Sequence, residues 1–266
     1  MSINTELTRE AHAPTARDVV GLRSLWKEAF GDGDGFLDDF FATAYSAERC
    51  RCITEKGEVA AALYWLDSEC NGARLAYIYA VATRVSHRGR GLCRSLMEQT
   101  HRHLAALGYG GVVLVPSEDT LFDYYGGLGY RTCSEISESR VLASEPPAEL
   151  HRVDKYEYAA RRRAFLPSGG VLQENQSLDF LATYAELYSG EDFLLAASRA
   201  GGRLLGIELL GNAAAAPSIV SALGCDEGEL RIPPSAASFG KKRRFAMFLG
   251  LKEGVRPPDY FGIAFD

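Results

Sequence analysis

The sequence lacks the cysteine arrangements that mark a metal site or a disulfide framework. Its six cysteines, at 50, 52, 70, 93, 133 and 225, contain no C-x-x-C, and none is followed by histidines at zinc-ligand spacing. Thiols scattered in this way are expected as reduced, buried, small apolar residues, with no metal bound. Lysine is scarce, and 35 acids outnumber 29 bases for a net charge of −6, the wrong sign for a general nucleic-acid binder. No apolar run approaches the roughly 20 residues of a membrane span. The first twenty residues have neither an apolar core nor a basic flank, so no signal peptide is expected, and with reduced thiols a cytoplasmic location is. Neither G-x-x-x-x-G-K-[ST] nor G-x-G-x-x-G occurs, which argues against a P-loop nucleotidase and a Rossmann dinucleotide site.

What is present suits a folded α/β protein. Of the 266 residues 47% are hydrophobic and 24% charged, a balance that can bury a core, and the length fits one large domain or two ordinary ones. Val19, Leu22, Leu25, Trp26 and Phe30 recur at helical spacing, and Gly31-Asp-Gly-Asp-Gly35 ends that helix, with Asp34 expected to cap a second. Strands are predicted near 50–55, 58–66, 75–83, 111–115 and 130–142, with helices at 91–107 and 119–126. The two prolines of Ala143-Ser-Glu-Pro-Pro-Ala-Glu-Leu150 predict an extended linker. Beyond it the element order partly repeats: helices at 153–165, 177–188 and 213–223, and strands at 192–199, 203–210, 228–233, 243–251 and 259–265. The expected partition is residues 1–142, a linker at 143–150, and a smaller α/β domain at 151–266, each built around one sheet.

The chemistry concentrates between Ala76 and Arg94, AYIYAVATRVSHRGRGLCR. An apolar strand leads into an Arg/Gly turn that opens directly into a helix. Gly89 and Gly91 allow the backbone to turn with its N–H groups on one side, and the helix start adds unpaired N–H groups and a positive dipole end, a combination suited to phosphate. Between Thr83 and His103, arginines 84, 88, 90, 94 and 102 against Glu98 give a local charge of +4. The plain alternative is a solvated loop in a chain that favours arginine throughout.

Arg88-Gly-Arg-Gly-Leu-Cys93 resembles the R/Q-x-x-G-x-G/A signature of the GCN5-related N-acetyltransferases, with Cys93 in place of Gly or Ala. Asp123-Tyr-Tyr-Gly-Gly-Leu-Gly-Tyr130 is similar to that family's F-Y-x-x-x-G-F, and the two motifs stand in the family's order over roughly residues 15–142. His87-Arg-Gly-Arg-Gly-Leu-Cys-Arg94 and Tyr125-Gly-Gly-Leu-Gly-Tyr130 also resemble the tandem acetyltransferases of the enhanced-intracellular-survival type. Those carry a degenerate second acetyltransferase-like domain, and a third, sterol-carrier-like domain for which this chain has no room.

The resemblance implies a mixed central sheet with helices on both faces, followed by a smaller degenerate copy. It also implies direct acetyl transfer from acetyl-CoA to a primary amine. Arg88, Gly89, Arg90, Gly91, Leu92 and Cys93 would then cradle the diphosphate, Val81, Ala82 and Thr83 would pair through their backbones with the pantetheine arm, and Ser117 and Glu118 would add a further contact. Tyr125 would protonate the departing thiolate, with Tyr124 facing away. A base is required because a free alkyl amine has a pKa near 10.4. In the survival-type relatives the C-terminal carboxylate reaches the site, which points to Asp266, with Glu118, Asp119 and Asp67 as alternatives. The acidic run Glu28, Asp32, Asp34, Asp38 and Asp39 would attract a cationic amine, or is simply a solvated loop; it lacks the ligand ladder of a calcium site. The rival reading is an acyl-CoA-binding regulatory or scaffold protein without catalysis. Aminoacyl transfer from tRNA is disfavoured by the net acidity. A homodimer through the second domain is compatible with its apolar content, whereas nucleic acid and membrane are not expected as partners.

Overall fold

The computed structural model describes residues 10–236 and 240–265. In the first half the order is α1 (Val19–Phe30), α2 (Asp34–Thr43), β1 (Cys50–Glu55), β2 (Glu58–Cys70), β3 (Ala73–Thr83), α3 (Leu92–Ala106), β4 (Gly111–Leu114), α4 (Asp119–Gly126) and β5 (Arg131–Thr132). Helix α1 buries Leu22, Leu25 and Trp26 and stops at Gly31, whose φ of 77° lies in the left-handed region and whose N–H returns to the Lys27 carbonyl. Asp34 proves to be the first residue of α2 rather than its cap, a place taken by Gly33.

The chain continues with β6 (Glu135–Leu142), β7 (His151–Arg152), α5 (Lys155–Phe165), β8 (Leu172–Gln173), α6 (Gln176–Tyr184), β9 (Glu186–Ser189), β10 (Phe193–Ala200), β11 (Arg203–Gly211), α7 (Ala216–Ala222), β12 (Glu227–Ile232), β13 (Lys241–Arg244) and β14 (Met247–Gly250). Three expectations change here. The predicted helix at 177–188 ends at Tyr184, because the chain turns extended at Ala185 to enter β9. The single strand predicted at 243–251 breaks at Phe245–Ala246. Residues 259–265 form no regular strand; they run beside Gly170 through one bridge at Tyr260.

The described residues form two seven-stranded mixed sheets. The first runs β1-β2-β3-β4-β14-β5, with β8 added beside β2, and the second β13-β6-β12-β11-β10-β9-β7. In the first, β1, β2 and β3 pair antiparallel, β3 and β4 pair parallel, and β14 and β5 follow antiparallel. In the second, β9, β10 and β11 pair antiparallel, β11 and β12 pair parallel, and β6 and β13 follow antiparallel. The parallel step is crossed by α3 in one half and by α7 in the other. The pairing pattern is therefore the same, and each sheet takes one interior strand from the other half of the chain.

That exchange corrects the expected strand at 130–142. Its first residues, Arg131–Thr132, close the first sheet, and after Cys133–Ser134 the rest, Glu135–Leu142, lies inside the second. The chain thus changes sheets before the expected linker and returns after Arg244, so sheet membership does not follow the 142/151 division. Residues 143–150 are held against the second sheet by backbone hydrogen bonds from Ala143 to Asp226, Ser144 to Pro217 and Ala148 to Ser218.

One apolar core spans both halves. Trp26, Leu37 and Phe40 from α1 and α2 share it with Phe180 and Leu181 from α6, Leu194 and Leu210 from the second sheet, and Phe261 and Phe265. Helix α3 covers the opposite face of the first sheet through Leu92, Leu96, Met97 and Leu104, so helices lie on both faces as expected. A fully buried ion pair braces the shared core. Arg162 on α5 donates to both carboxylate oxygens of Glu208, at 2.7 and 2.9 Å, and Tyr158 and Tyr260 donate to the same carboxylate. Arg162 also donates to the Val171 carbonyl. All the charge is compensated in place, which is the condition under which a buried pair is tolerable. Past Tyr260 the chain is fixed by Gln173, whose amide pairs with the backbone of Ile263 in both directions, and by Tyr77, whose hydroxyl accepts from the Phe265 N–H at 3.4 Å.

Candidate active site

Strand β3 has a fault built into it. Tyr79 faces Tyr64 and Ala82 faces Ala62, so two residues, Ala80 and Val81, oppose Leu63 alone, and Ala80 takes a φ of 50°. A side chain in that region costs on the order of 1 kcal/mol, and a bulge bends its strand. The parallel neighbour β4 follows β3 only from Leu75–Gly111 to Tyr77–Val113. Among the described residues, Ile78–Thr83 therefore has no partner strand on that side. This leaves an open edge of backbone N–H and C=O groups, able to accept an extended ligand as a further strand.

The open edge points to the turn before α3. A short 3-10 turn at Val85–His87 leads into Arg88, and Gly89 and Gly91 take φ values of 74° and 77°, the left-handed conformations for which glycine is suited. Gly91 is the N-cap of α3, and no side chain caps that helix end, so the N–H groups of its first turn face outward. A strand edge, a glycine turn and a bare helix start thus form one continuous cradle for a ligand with an anionic end.

The charge count in the sequence overstates how much of the arginine is free. Arg84 is taken by Glu28 at 2.7 Å and Glu58 at 3.0 Å, Arg90 by both oxygens of the buried Glu55, and Arg94 sits 3.6 Å from Glu98. Arg88 and Arg102 are exposed with no carboxylate in ion-pair range among the described residues, and of the two Arg88 stands at the turn, where it donates to the Thr83 carbonyl at 3.2 Å. Cys93 packs against the apolar cluster under α3, and burial pushes its thiol up.

A cavity of about 930 Å³ opens from the cleft. Its first wall carries Ile78–Val81 of β3, Leu114–Ser117 after β4, and Tyr125. Tyr125 is 8% exposed, and its hydroxyl has no hydrogen-bond partner among the described protein groups. Burial pushes its phenol well above the ordinary value, so it stays protonated. Tyr124 faces Cys93 instead and does not line the cavity. Behind Tyr125, Tyr130 packs at 5.8 Å between ring centroids, and its hydroxyl lies 2.7 Å from His101 Nε2.

Burial holds His101 down to about 4. Below about pH 6.5 the unfolded chain takes up a proton that the folded chain refuses until about pH 4, so stability is lost as pH falls through that window. The contribution is on the order of 3 kcal/mol at its lower end. Replacing His101 by Gln is expected to flatten the fall of unfolding free energy between pH 6.5 and 4.5 in urea titrations; equal slopes would contradict the assignment.

The remaining expected residues divide. Val81 and Ser117 line the cavity, and Ala82 and Thr83 continue the open edge. Glu118 is exposed at the start of α4, where it accepts from Thr120, and does not line the cavity; nor does Ser117 cap the helix, since Glu118 holds that position. Asp119 lies 3.5 Å from Arg244, and Asp67 accepts from Arg74 and Tyr109, so both alternatives for the base are outside the cavity. Asp266 lies outside the described residues, but its predecessors Ala264 and Phe265 line the cavity. Sequence reasoning missed the far wall, which the second sheet supplies through Ser198, Leu205, Ile207, Glu229, Arg231 and Glu138. No local pattern marks these residues, because they meet the site only through the packing of the two sheets.

Residues 10–133 match the family model described as an acetyltransferase (GNAT) domain. That segment carries a GNAT acetyltransferase domain. The whole fold resembles a GCN5-related N-acetyltransferase from Kribbella flavida, with a TM-score of 0.69 at 18% identity over 90% of this chain and 70% of that one. It is also similar to Eis1 from Mycobacterium abscessus, at 0.65 and 15% over 91% and 74%, and to a GCN5-related N-acetyltransferase from Anabaena variabilis, at 0.69 and 16% over 91% and 73%. A search of curated proteins found no match. Among the described residues no helix is long and apolar enough to cross a membrane.

Proposed function

We propose that this GNAT protein transfers an acetyl group from acetyl-CoA directly to a primary amine. The observation that carries the reading is the continuity of the open β3 edge, the uncapped start of α3 and a cavity into which Tyr125 faces. Val81, Ala82 and Thr83 would pair with the pantetheine arm through their backbones, and Arg88 to Cys93 would hold the diphosphate with N–H groups and the Arg88 charge. The side chain of Arg90 serves instead to anchor the loop on Glu55. Ser117 contributes from the opposite lip of the cleft, with Glu118 next to it.

The acceptor arrives as an ammonium and must lose one proton before it attacks the thioester carbon. The C–N bond forms, the C–S bond breaks, and the nitrogen gives up a second proton as the amide forms. Tyr125 delivers a proton to the departing sulfur, whose thiol has an ordinary pKa of about 8.5, and is reprotonated from the amine by way of solvent. The other proton leaves to solvent, with Asp266, the residue after Phe265, as the proposed acceptor on the way. The second half is proposed to be a degenerate copy of the first. Its shared strand pairing supports this, and the turn before α7, Asn212-Ala-Ala-Ala-Ala-Pro217, has neither the glycines nor the arginines of the cradle.

The test is calorimetric binding of acetyl-CoA together with thiol release on addition of primary amines. Binding with amine-dependent thiol release is the expected result. Binding without release from any amine would leave a cofactor-binding module and no transferase.

A further inference from the structure

The glycine turn before α3 stands on a buried carboxylate that lines no part of the cavity, and its role here rests on the acetyl-CoA reading above. Glu55 ends β1, and the chain turns back at once through Lys56 and Gly57, both at positive φ, to begin β2 at Glu58. A carboxylate at the tip of so tight a hairpin is ordinarily solvated. The Glu55 side chain is instead 6% exposed, with Arg90 and His87 of the turn against it. Arg90 Nη2 donates to its two oxygens at 2.9 and 2.7 Å, and His87 Nε2 lies 3.6 Å from one of them. No other cation pairs with Glu55 among the described residues. A carboxylate this deeply buried needs a compensating cation, so the turn and the hairpin are bound to each other.

The start of the turn is tied down as well. Glu28 on α1 accepts from the Val85 N–H and from Arg84, both at 2.7 Å. Between the two ties the turn has little else to fix its shape. Apart from chain neighbours, Gly89 and Gly91 have no atom within 4 Å of where a side chain would begin, and both are exposed. Glycine loses more backbone freedom on ordering than any other residue, so an unpacked turn with two of them is costly to hold in one conformation. N–H groups that bind phosphate must be aimed before the ligand arrives, or that ordering is charged against affinity. The Glu55–Arg90 pair supplies the order, and it also neutralises Arg90, leaving Arg88 as the free cation of the turn.

We propose that Glu55 is a positioning residue for the acyl donor. Through Arg90 and His87 it holds the glycine turn in its phosphate-binding shape, and Arg90 acts on the diphosphate only through this tie.

The test measures calorimetric binding of acetyl-CoA to the full chain at low and high salt. It compares wild type with Glu55→Gln, Arg90→Gln, Arg90→Lys, Arg88→Gln and the double variant Glu55→Gln with Arg90→Gln. Glu55→Gln and Arg90→Gln are each expected to weaken binding at least tenfold, and the double variant to stay within threefold of the weaker single. Arg90→Lys keeps the cation and is expected to bind within threefold of wild type. Salt should weaken binding to Arg90→Gln as steeply as to wild type, and less steeply to Arg88→Gln, which has lost an unscreened charge facing the ligand. Amide hydrogen exchange across residues 85–91 of the unliganded protein should quicken in Glu55→Gln. The double variant leaves no unpaired buried charge, so its affinity decides the matter even where a single variant folds poorly. Affinity within threefold of wild type in the double variant overturns the proposal. So do tighter binding by Glu55→Gln, additive losses, or a shallower salt dependence in Arg90→Gln, each of which would make Arg90 a direct ligand. Wild type that fails to bind acetyl-CoA sinks the cradle reading and this proposal together, whereas wild type that binds no better than the double variant sinks this proposal alone.

Discussion

Tyr125→Phe is expected to lower acetyl-transfer turnover by about 100-fold or more while leaving acetyl-CoA affinity within twofold, the scale on which a positioned proton donor acts. The phenol faces the cavity, is buried by its ring, and has no protein partner among the described residues, so its proton is available to a departing thiolate. Removing one oxygen leaves the ring packing against Tyr130 intact. Tyr124→Phe provides the internal control. It does not line the cavity, and turnover should stay within about threefold, roughly 0.7 kcal/mol. If Tyr125→Phe also stays within that limit in steady-state assays of thiol release, Tyr125 is not the acid.

The second large effect concerns the cradle. Arg88→Glu combined with Gly91→Pro is expected to weaken acetyl-CoA binding by at least 100-fold in calorimetry. Proline locks φ near −65°, whereas Gly91 stands at 77°, so the turn must reshape and its N–H groups re-aim. Arg88 is the exposed arginine of the turn without a carboxylate partner, and glutamate there sets like charge against a diphosphate. Both positions lie outside the core, so thermal unfolding should shift far less than affinity does. Retained affinity would overturn the phosphate-cradle reading.

The parts of the site that were legible in the sequence are those encoded locally. A strand, two glycines and a helix start are contiguous between Ala76 and Arg94, and their conformations follow from residue type. The choice of Tyr125 over Tyr124 rested on one helical step beside a family motif, and burial separates the two as expected. The local charge of +4 misled because a window along the chain cannot see Glu28, Glu55 and Glu58 arriving from other elements to bind Arg84 and Arg90. Asp32 stood in the acidic run without distinction, since only the fold shows which of those carboxylates lines the cavity. The exchange of strands was illegible for a related reason. Alternation continues across Cys133–Ser134, and periodicity reports that a segment is extended, not which sheet will pair with it.

The reciprocal placement of β6 and β14 has a consequence for the history and assembly of the molecule. β14 is the neighbour of β4, the strand that borders the cleft, yet it is made last, about 100 residues after Tyr125. The first sheet is therefore incomplete until the second half has been synthesised, and a fragment ending in the linker would expose an unpaired interior edge. The second half can vary in the turn before α7 but cannot be removed, because β14 holds an interior place in the first sheet. It is the scaffold that joins β5 to the first sheet, and its own sheet supplies a wall of the pocket.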